Sequence, residues 1–200
     1  MTRFLAAIST AALLAACTAS SDDVGELGEN DAPGVAEMVS VCPDNLVLDL
    51  DGYADETLPE AEDYNAWHME NAERPDVQQT ASGMQYKVIQ PGMENGMTPR
   101  PGEEVIAMYH GYRTDGTVFD SSYERDEPFI FPTDRVIAGW TEAVESMKVC
   151  EARTLYLPAN LAYGERGAGE DIRPGDTLVF NMQLIRVNRE GLDDAVGVED

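Results

Sequence analysis

Val105-Ile106-Ala107-Met108-Tyr109-His110-Gly111-Tyr112-Arg113 runs into Thr114-Asp115-Gly116-Thr117 and then Val118-Phe119-Asp120-Ser121-Ser122, and the fold turns on this stretch. The first nine residues are rich in β-branched and aromatic types and contain no proline, which suits a strand. Asp-Gly is a strong hairpin signal, because both positions tolerate positive φ. The chain therefore reverses here and the sheet is antiparallel. Upstream, Met84, Tyr86 and Val88 alternate with Gln85 and Lys87, the period of two expected of a strand. Downstream, Glu151–Leu157 reads as a strand ended by Pro158, and Thr177–Val187 as a long final one. The latter puts Leu178, Phe180, Met182 and Leu184 on one face. Between them Ile137, Trp140, Val144 and Met147 share one side of a helix. A twisted antiparallel β-sheet wrapped around this one short α-helix would bury the whole set. The class is α+β, with the domain spanning 80–188.

The flanks differ in character. Arg3 and the apolar run Phe4–Ala16 form a secretory signal over residues 1–16. That run is too short for a bilayer span, which needs about twenty helical residues. Its end, Leu14-Ala15-Ala16-Cys17, resembles a bacterial lipoprotein box, in which the cysteine is acylated and becomes the first mature residue. Ordinary cleavage beside an inert Cys17 is the plainer alternative. Residues 17–58 are acidic and turn-rich, with Asp22, Asp23, Glu26, Glu29, Asp31 and Glu37 and no Lys or Arg. They read as a lipidated cysteine and a solvated, flexible spacer, interrupted by Val47-Leu48-Asp49-Leu50 as a short docking strand. Within 59–79, a helix and connector, the helix runs Pro59–Ala72 and places Ala61, Tyr64, Trp67 and His68 on one face. That face is either a partner or homodimer surface, or Trp67 packs on its own domain. Residues 189–200 form an acidic tail.

Composition excludes several classes. A formal net charge of -25 argues against nucleic acid, whose phosphates need clustered Lys and Arg. It equally argues against an electrostatic grip on anionic headgroups. The only histidines are His68 and His110, no CxxC or HExxH spacing occurs, and no cofactor fingerprint appears, so neither a metal nor a cofactor is expected. No Ser, Cys or His sits in a nucleophile motif. Cys42 and Cys150 are permitted to pair in an exported protein, but nothing in the sequence brings them together. What concentrates in the domain is aromatic: Tyr109, Phe119, Phe129, Phe131, Trp140, Tyr163 and Phe180. Any one of these, taken alone, reads as core.

Taken together they carry a resemblance. Tyr109-His110-Gly111 and Asp115–Ser122 resemble the signature strand and hairpin of the FKBP-type peptidyl-prolyl isomerases. Val136-Ile137-Ala138-Gly139-Trp140 is similar to that family's pocket-floor helix start, and Leu161-Ala162-Tyr163-Gly164 and Thr177-Leu178-Val179-Phe180 to its last two blocks. Glu70-Asn71-Ala72 with Thr80–Tyr86 resembles the macrophage infectivity potentiator branch of bacterial envelope isomerases.

The resemblance implies a prolyl pocket lined by Tyr109, Phe119, Val136, Ile137, Trp140 and Phe180, with Trp140 as its floor. Tyr163 would donate its hydroxyl to a substrate carbonyl, and the Ile137 backbone N–H would hold another. Asp120 would pair with Arg125 at the wall, with Phe129 and Ile172 on the rim. Asp171, beside Ile172, departs from the family's usual apolar tip and bears on substrate preference and on macrolide inhibitor affinity. The implied activity is rotation of X–Pro bonds in exported, proline-containing polypeptides, without a cofactor. The implied location is the bacterial envelope, lipid-anchored at the outer membrane and facing the periplasm. A proline-segment-binding chaperone with incidental catalysis is the other reading. A purely structural lipoprotein would leave the aromatic set unexplained.

Overall fold

The computed structural model describes residues 40–53, 58–59 and 63–189; the signal segment, Cys17, most of the spacer and the acidic tail lie outside them. Among the described residues seven strands form one antiparallel sheet: β1 Gln78–Gln79, β2 Gln85–Gln90, β3 Glu104–Arg113, β4 Val118–Ser121, β5 Phe129–Pro132, β6 Ala152–Leu157 and β7 Leu178–Asn188. The order is β1-β2-β6-β7-β3-β4, and β5 pairs with the other end of β3. Three helices accompany them: α1 Tyr64–Ala72, α2 Ser122–Arg125 and α3 Ala138–Val144. None is long and apolar enough to cross a membrane.

The long strands β3 and β7 form the spine, from Glu104 opposite Asn188 to Arg113 opposite Leu178. The hairpin after β3 closes at the Asp-Gly pair, but only Gly116 takes a positive φ, of 81°. Asp115 instead accepts the Thr117 N–H on its side chain at 3.0 Å. The register of β3 with β4 slips beside the turn, between Gly111 and Tyr112.

One face of the sheet curls over α3. Trp140 and Val144 of α3, from the expected face, lie with Ala143 in one core cluster with Val105, Ala107, Leu155, Leu157, Leu178, Met182 and Leu184. The helix is shorter than the expected stripe, so Ile137 precedes it and Met147 joins the core from the turn beyond its end. The other face is covered by α1. Trp67 is 2% exposed, and its ring lies 5.8 Å from that of Tyr156, with Tyr112 and Val179 completing the cluster. Of the two readings of that helix, packing on its own domain is the one observed for Trp67. The helix expected from Pro59 begins instead at Tyr64, because Asp63 is extended (φ -135°, ψ 160°) and caps it by accepting the Ala66 N–H at 2.7 Å. Ala61 lies outside the described residues.

Residues 40–53 are not a free spacer. Val41 bridges to Arg186, and the Val187 N–H donates to Ser40 O at 2.8 Å, covering the stretch of β7 that β6 leaves unpaired. Cys42 and Cys150 are disulfide-bonded with their Cα atoms 5.0 Å apart. Val47–Leu50 forms no strand; two 3-10 turns, Asp44–Leu46 and Leu50–Tyr53, flank Val47, Leu48 and Asp49. The buried amide of Gln183 holds the segment. Its Nε2 donates to Leu46 O (2.9 Å) and Cys150 O (3.1 Å), and its Oε1 accepts the Leu48 N–H (2.8 Å). Sequence periodicity missed this because a side-chain clamp leaves no repeat to read.

Candidate active site

At the end of the sheet over α3 opens a cleft of about 640 Å³. Trp140 forms its floor, 5% exposed, with ring centroids of Tyr109, Phe180 and Phe131 at 4.9, 5.2 and 5.4 Å. Phe129 stands at 6.1 Å from Trp140, and Phe119 meets Phe180 edge-on at 5.5 Å. Edge-to-face pairs at these separations favour one another beyond their buried area. Gly111 makes the arrangement fit: a Cβ there would lie 2.8 Å from the rings of Phe119 and Phe180. Any side chain at that position of β3 would push the walls apart.

The polar wall is built locally. Ser121 caps α2 by accepting the Glu124 N–H at 3.2 Å, and Asp126, in the left-handed region (φ 51°), ends it after one turn. That single turn swings Arg125 back onto Asp120, five residues earlier, in a close ion pair. The Tyr109 hydroxyl donates to the second Asp120 oxygen and accepts from Arg125 Nη2 at 3.0 Å. Burial works against the Asp120 carboxylate, yet hydrogen bonds from Tyr109 and Arg125 outweigh it and hold the group below its usual range. Burial, then the hydrogen bond to Asp120, pushes the Tyr109 phenol up to about 12.

On the opposite side, Tyr163 is 40% exposed, and its phenol is raised by burial and by the nearby Asp120 charge. No hydrogen bond to its hydroxyl is made among the described residues, so it is available to a bound chain. Ile137 precedes α3 in an extended conformation (φ -61°, ψ 148°), and its backbone N–H is likewise uncommitted among the described residues. The rim loop is pinched by a reciprocal pair, Ala168 N–H to Ile172 O at 2.9 Å and Ile172 N–H to Ala168 O at 3.1 Å. This turns Ile172 inward, 8% exposed, and leaves Asp171 exposed at the mouth.

Tyr109, Phe119, Asp120, Phe129, Val136, Ile137, Trp140, Tyr163, Ile172 and Phe180 all line this one cleft, and Arg125 reaches it through Asp120. Sequence reasoning missed Arg135, Ala168 and Gly169, which also line it. Arg135 stood next to a recognised motif, whereas Ala168 and Gly169 enter only through the folded path of the loop. His110 points away from the cleft, its Nδ1 2.9 Å from Ser121 Oγ. Among the described residues no group of three His, Cys, Asp or Glu is placed to hold a metal ion.

A short helix inside a curled antiparallel sheet, with a tryptophan floor between them, defines a family. The model of the FKBP-type peptidyl-prolyl cis-trans isomerase family matches residues 95–185. A probable FKBP-type peptidyl-prolyl cis-trans isomerase FkpA of Neisseria meningitidis is 45% identical over 122 residues, 61% of this chain and 44% of that one. Outer membrane protein MIP of Legionella longbeachae is 40% identical over 119 residues, 60% of this chain and 50% of that one. A crystal structure of a peptidyl-prolyl cis-trans isomerase from Pseudomonas syringae superposes with a TM-score of 0.58 at 34% identity, covering 62% of this chain and 90% of that one. The chain belongs to the FKBP-type peptidyl-prolyl cis-trans isomerase family. It spans about half the length of the two curated relatives.

Proposed function

We propose that this protein is a peptidyl-prolyl cis-trans isomerase acting on proline-containing exported polypeptides. The observation that carries the reading is the aromatic basin over Trp140, bounded by one phenol and one backbone N–H that are uncommitted among the described residues. Turning an X–Pro bond breaks no covalent bond and only has to lower a barrier of roughly 18–20 kcal/mol. That barrier comes from amide resonance, which is dipolar and favoured by water. A dry basin of Tyr109, Phe119, Trp140 and Phe180 disfavours the planar, dipolar form relative to the twisted one. Tyr163 and the Ile137 N–H hold carbonyls on either side of the bond, so the substrate is gripped while the amide turns. The Asp120–Arg125–Tyr109 group braces the wall and carries no proton in the reaction.

This mechanism sets a pH profile. Asp120 is held low and both phenols are held high, so none of the three changes charge between about pH 5 and 9. The rate of a cis-proline-limited refolding reaction should therefore rise with added protein and stay flat over that range. Asp120 contributes stability above its unfolded value, near 3.9, and loses it as pH falls through its lower folded one. A bell-shaped profile centred near neutrality would overturn the mechanism. Binding of the proline substrate with no acceleration would leave a holding module instead.

The domain reading of 80–188, joined on the sheet by residues 40–53 and with an anchor and spacer only before residue 40, is part of the same proposal. Leu14–Cys17 supports lipidation at Cys17, and Thr18 rather than Asp after it supports the outer membrane, facing the periplasm. One relative's name, outer membrane protein MIP, points to the same compartment. Cys17→Ser should move the protein from the membrane to the soluble fraction and remove the acyl mass. A variant that stays in the membrane fraction, with a wild type lacking acyl mass, would refute the anchor. Macrolide inhibitors would enter the same basin, with affinity reduced by the Asp171 carboxylate at its mouth. A homodimer through α1 would use the side away from Trp67, where Met69 is 72% exposed.

A further inference from the structure

A second cleft, of about 680 Å³, lies between segment 40–53 and helix α2 and shares no lining residue with the first. Its wall is apolar, with Leu48, Leu50, Met108 and Tyr123 half-buried. Its rim is acidic: Asp44, Asp49, Asp51 and Asp126 line it, with no Lys or Arg among the lining residues. The disulfide and the Gln183 clamp hold one side of the cleft in place, so little ordering is left for a ligand to impose. Helix α2 separates the two clefts, since Arg125 turns to Asp120 in the first while Tyr123 and Asp126 line the second.

Charge decides what can fill it. Residues 18–39 carry six Asp or Glu and no Lys or Arg, and 190–200 carry five acids and no base. A second copy brings a net charge of -25 of its own. Each of these meets like charge at the rim, as does an anionic lipid surface. An apolar wall under four carboxylates suits the opposite: an extended chain with Lys or Arg beside aliphatic side chains.

We propose that this cleft is a second polypeptide-binding site, taking cationic, aliphatic segments of other proteins whether or not they contain proline. The apolar side chains lie on Leu48, Met108 and Tyr123 while the basic groups meet the carboxylates. A client held there raises the local concentration of its neighbouring prolines at the first cleft. The site is independent of turnover and stands even if the isomerase reading fails.

The test is fluorescence anisotropy at low salt with the purified full chain and a labelled, proline-free peptide, Lys-Leu-Lys-Val-Lys-Leu-Lys. Wild type should bind it, and D44N/D49N/D51N should bind about tenfold more weakly, while rates on a short proline tetrapeptide stay unchanged. Asparagine at position 49 keeps the oxygen that accepts the Gly52 N–H, so the turn survives. Val47, exposed, also lines this cleft, and Val47→Ser, with every carboxylate in place, should weaken binding too. Absence of binding, equal binding by the triple variant, or equal binding of heptalysine would overturn the proposal, the last by reducing it to bulk attraction.

Discussion

Trp140→Ala should lower isomerase kcat/KM by about a hundredfold or more, the largest loss of any single change in the first cleft. A factor of ten needs about 1.4 kcal/mol of differential stabilisation, so this is a loss of about 2.7 kcal/mol or more from one side chain. The indole touches Tyr109, Phe131 and Phe180 and closes the basin from below. Its removal admits water to the place where the amide must lose its dipolar form, and takes away the surface that fits the prolyl ring. Phe119→Ala should act in the same direction by opening the side wall. Tyr163→Phe removes one hydrogen bond, worth roughly 0.5–1.5 kcal/mol, and should cost up to about tenfold. Asp120→Ala should fall between, because it also strips Arg125 and the Tyr109 hydroxyl of their shared partner. Truncating a buried aromatic can cost roughly 3–5 kcal/mol of stability, so each variant is compared as folded protein, with Trp140→Leu as the milder truncation. Full activity in folded Trp140→Ala, beside a dead Tyr163→Phe or Asp120→Ala, would refute a desolvating pocket.

Opening the disulfide should have the largest effect on stability. The bond closes a sequence separation of 108 residues, for which chain entropy gives about 4–5 kcal/mol as an upper bound. Cys42→Ser/Cys150→Ser, or reduction, should lower Tm by about 10–15 °C if that bound is approached. The Gln183 contacts and the Val41–Arg186 bridge remain in the variant, so the segment should loosen rather than unfold the sheet. Two free thiols titrated in the oxidised, unfolded protein with Cys17 blocked would exclude the bond.

Much of the fold was legible because its signals are local. The Asp115-Gly116 turn, the alternation in Met84–Val88 and the stripe Leu178–Leu184 each lie within about ten residues. Of the short elements only β4 was legible, and that from the turn before it rather than from a period of its own. Strands β4 and β5 hold four residues each, and α2 is a single turn, too few for a period to show. They exist because β3 offers both ends of one edge for pairing and because Ser121 and Asp126 bracket one helical turn.

The sequence by itself determined the antiparallel sheet and the helix beneath it, since periodicity and turn chemistry encode these directly. The aromatic residues of the first cleft were named by the resemblance of separated motifs rather than by any period. The sequence also carried the family, through several separated motifs in one order. Only the tertiary structure decided that Trp67 packs on its own sheet and that Cys42 meets Cys150. The same holds for residues 40–53 lining a second cleft. Each of these joins parts of the chain more than forty residues apart, through a few side-chain and bridging contacts. Such pairings depend on where the finished sheet leaves an open edge or an uncovered face, and no local pattern records that.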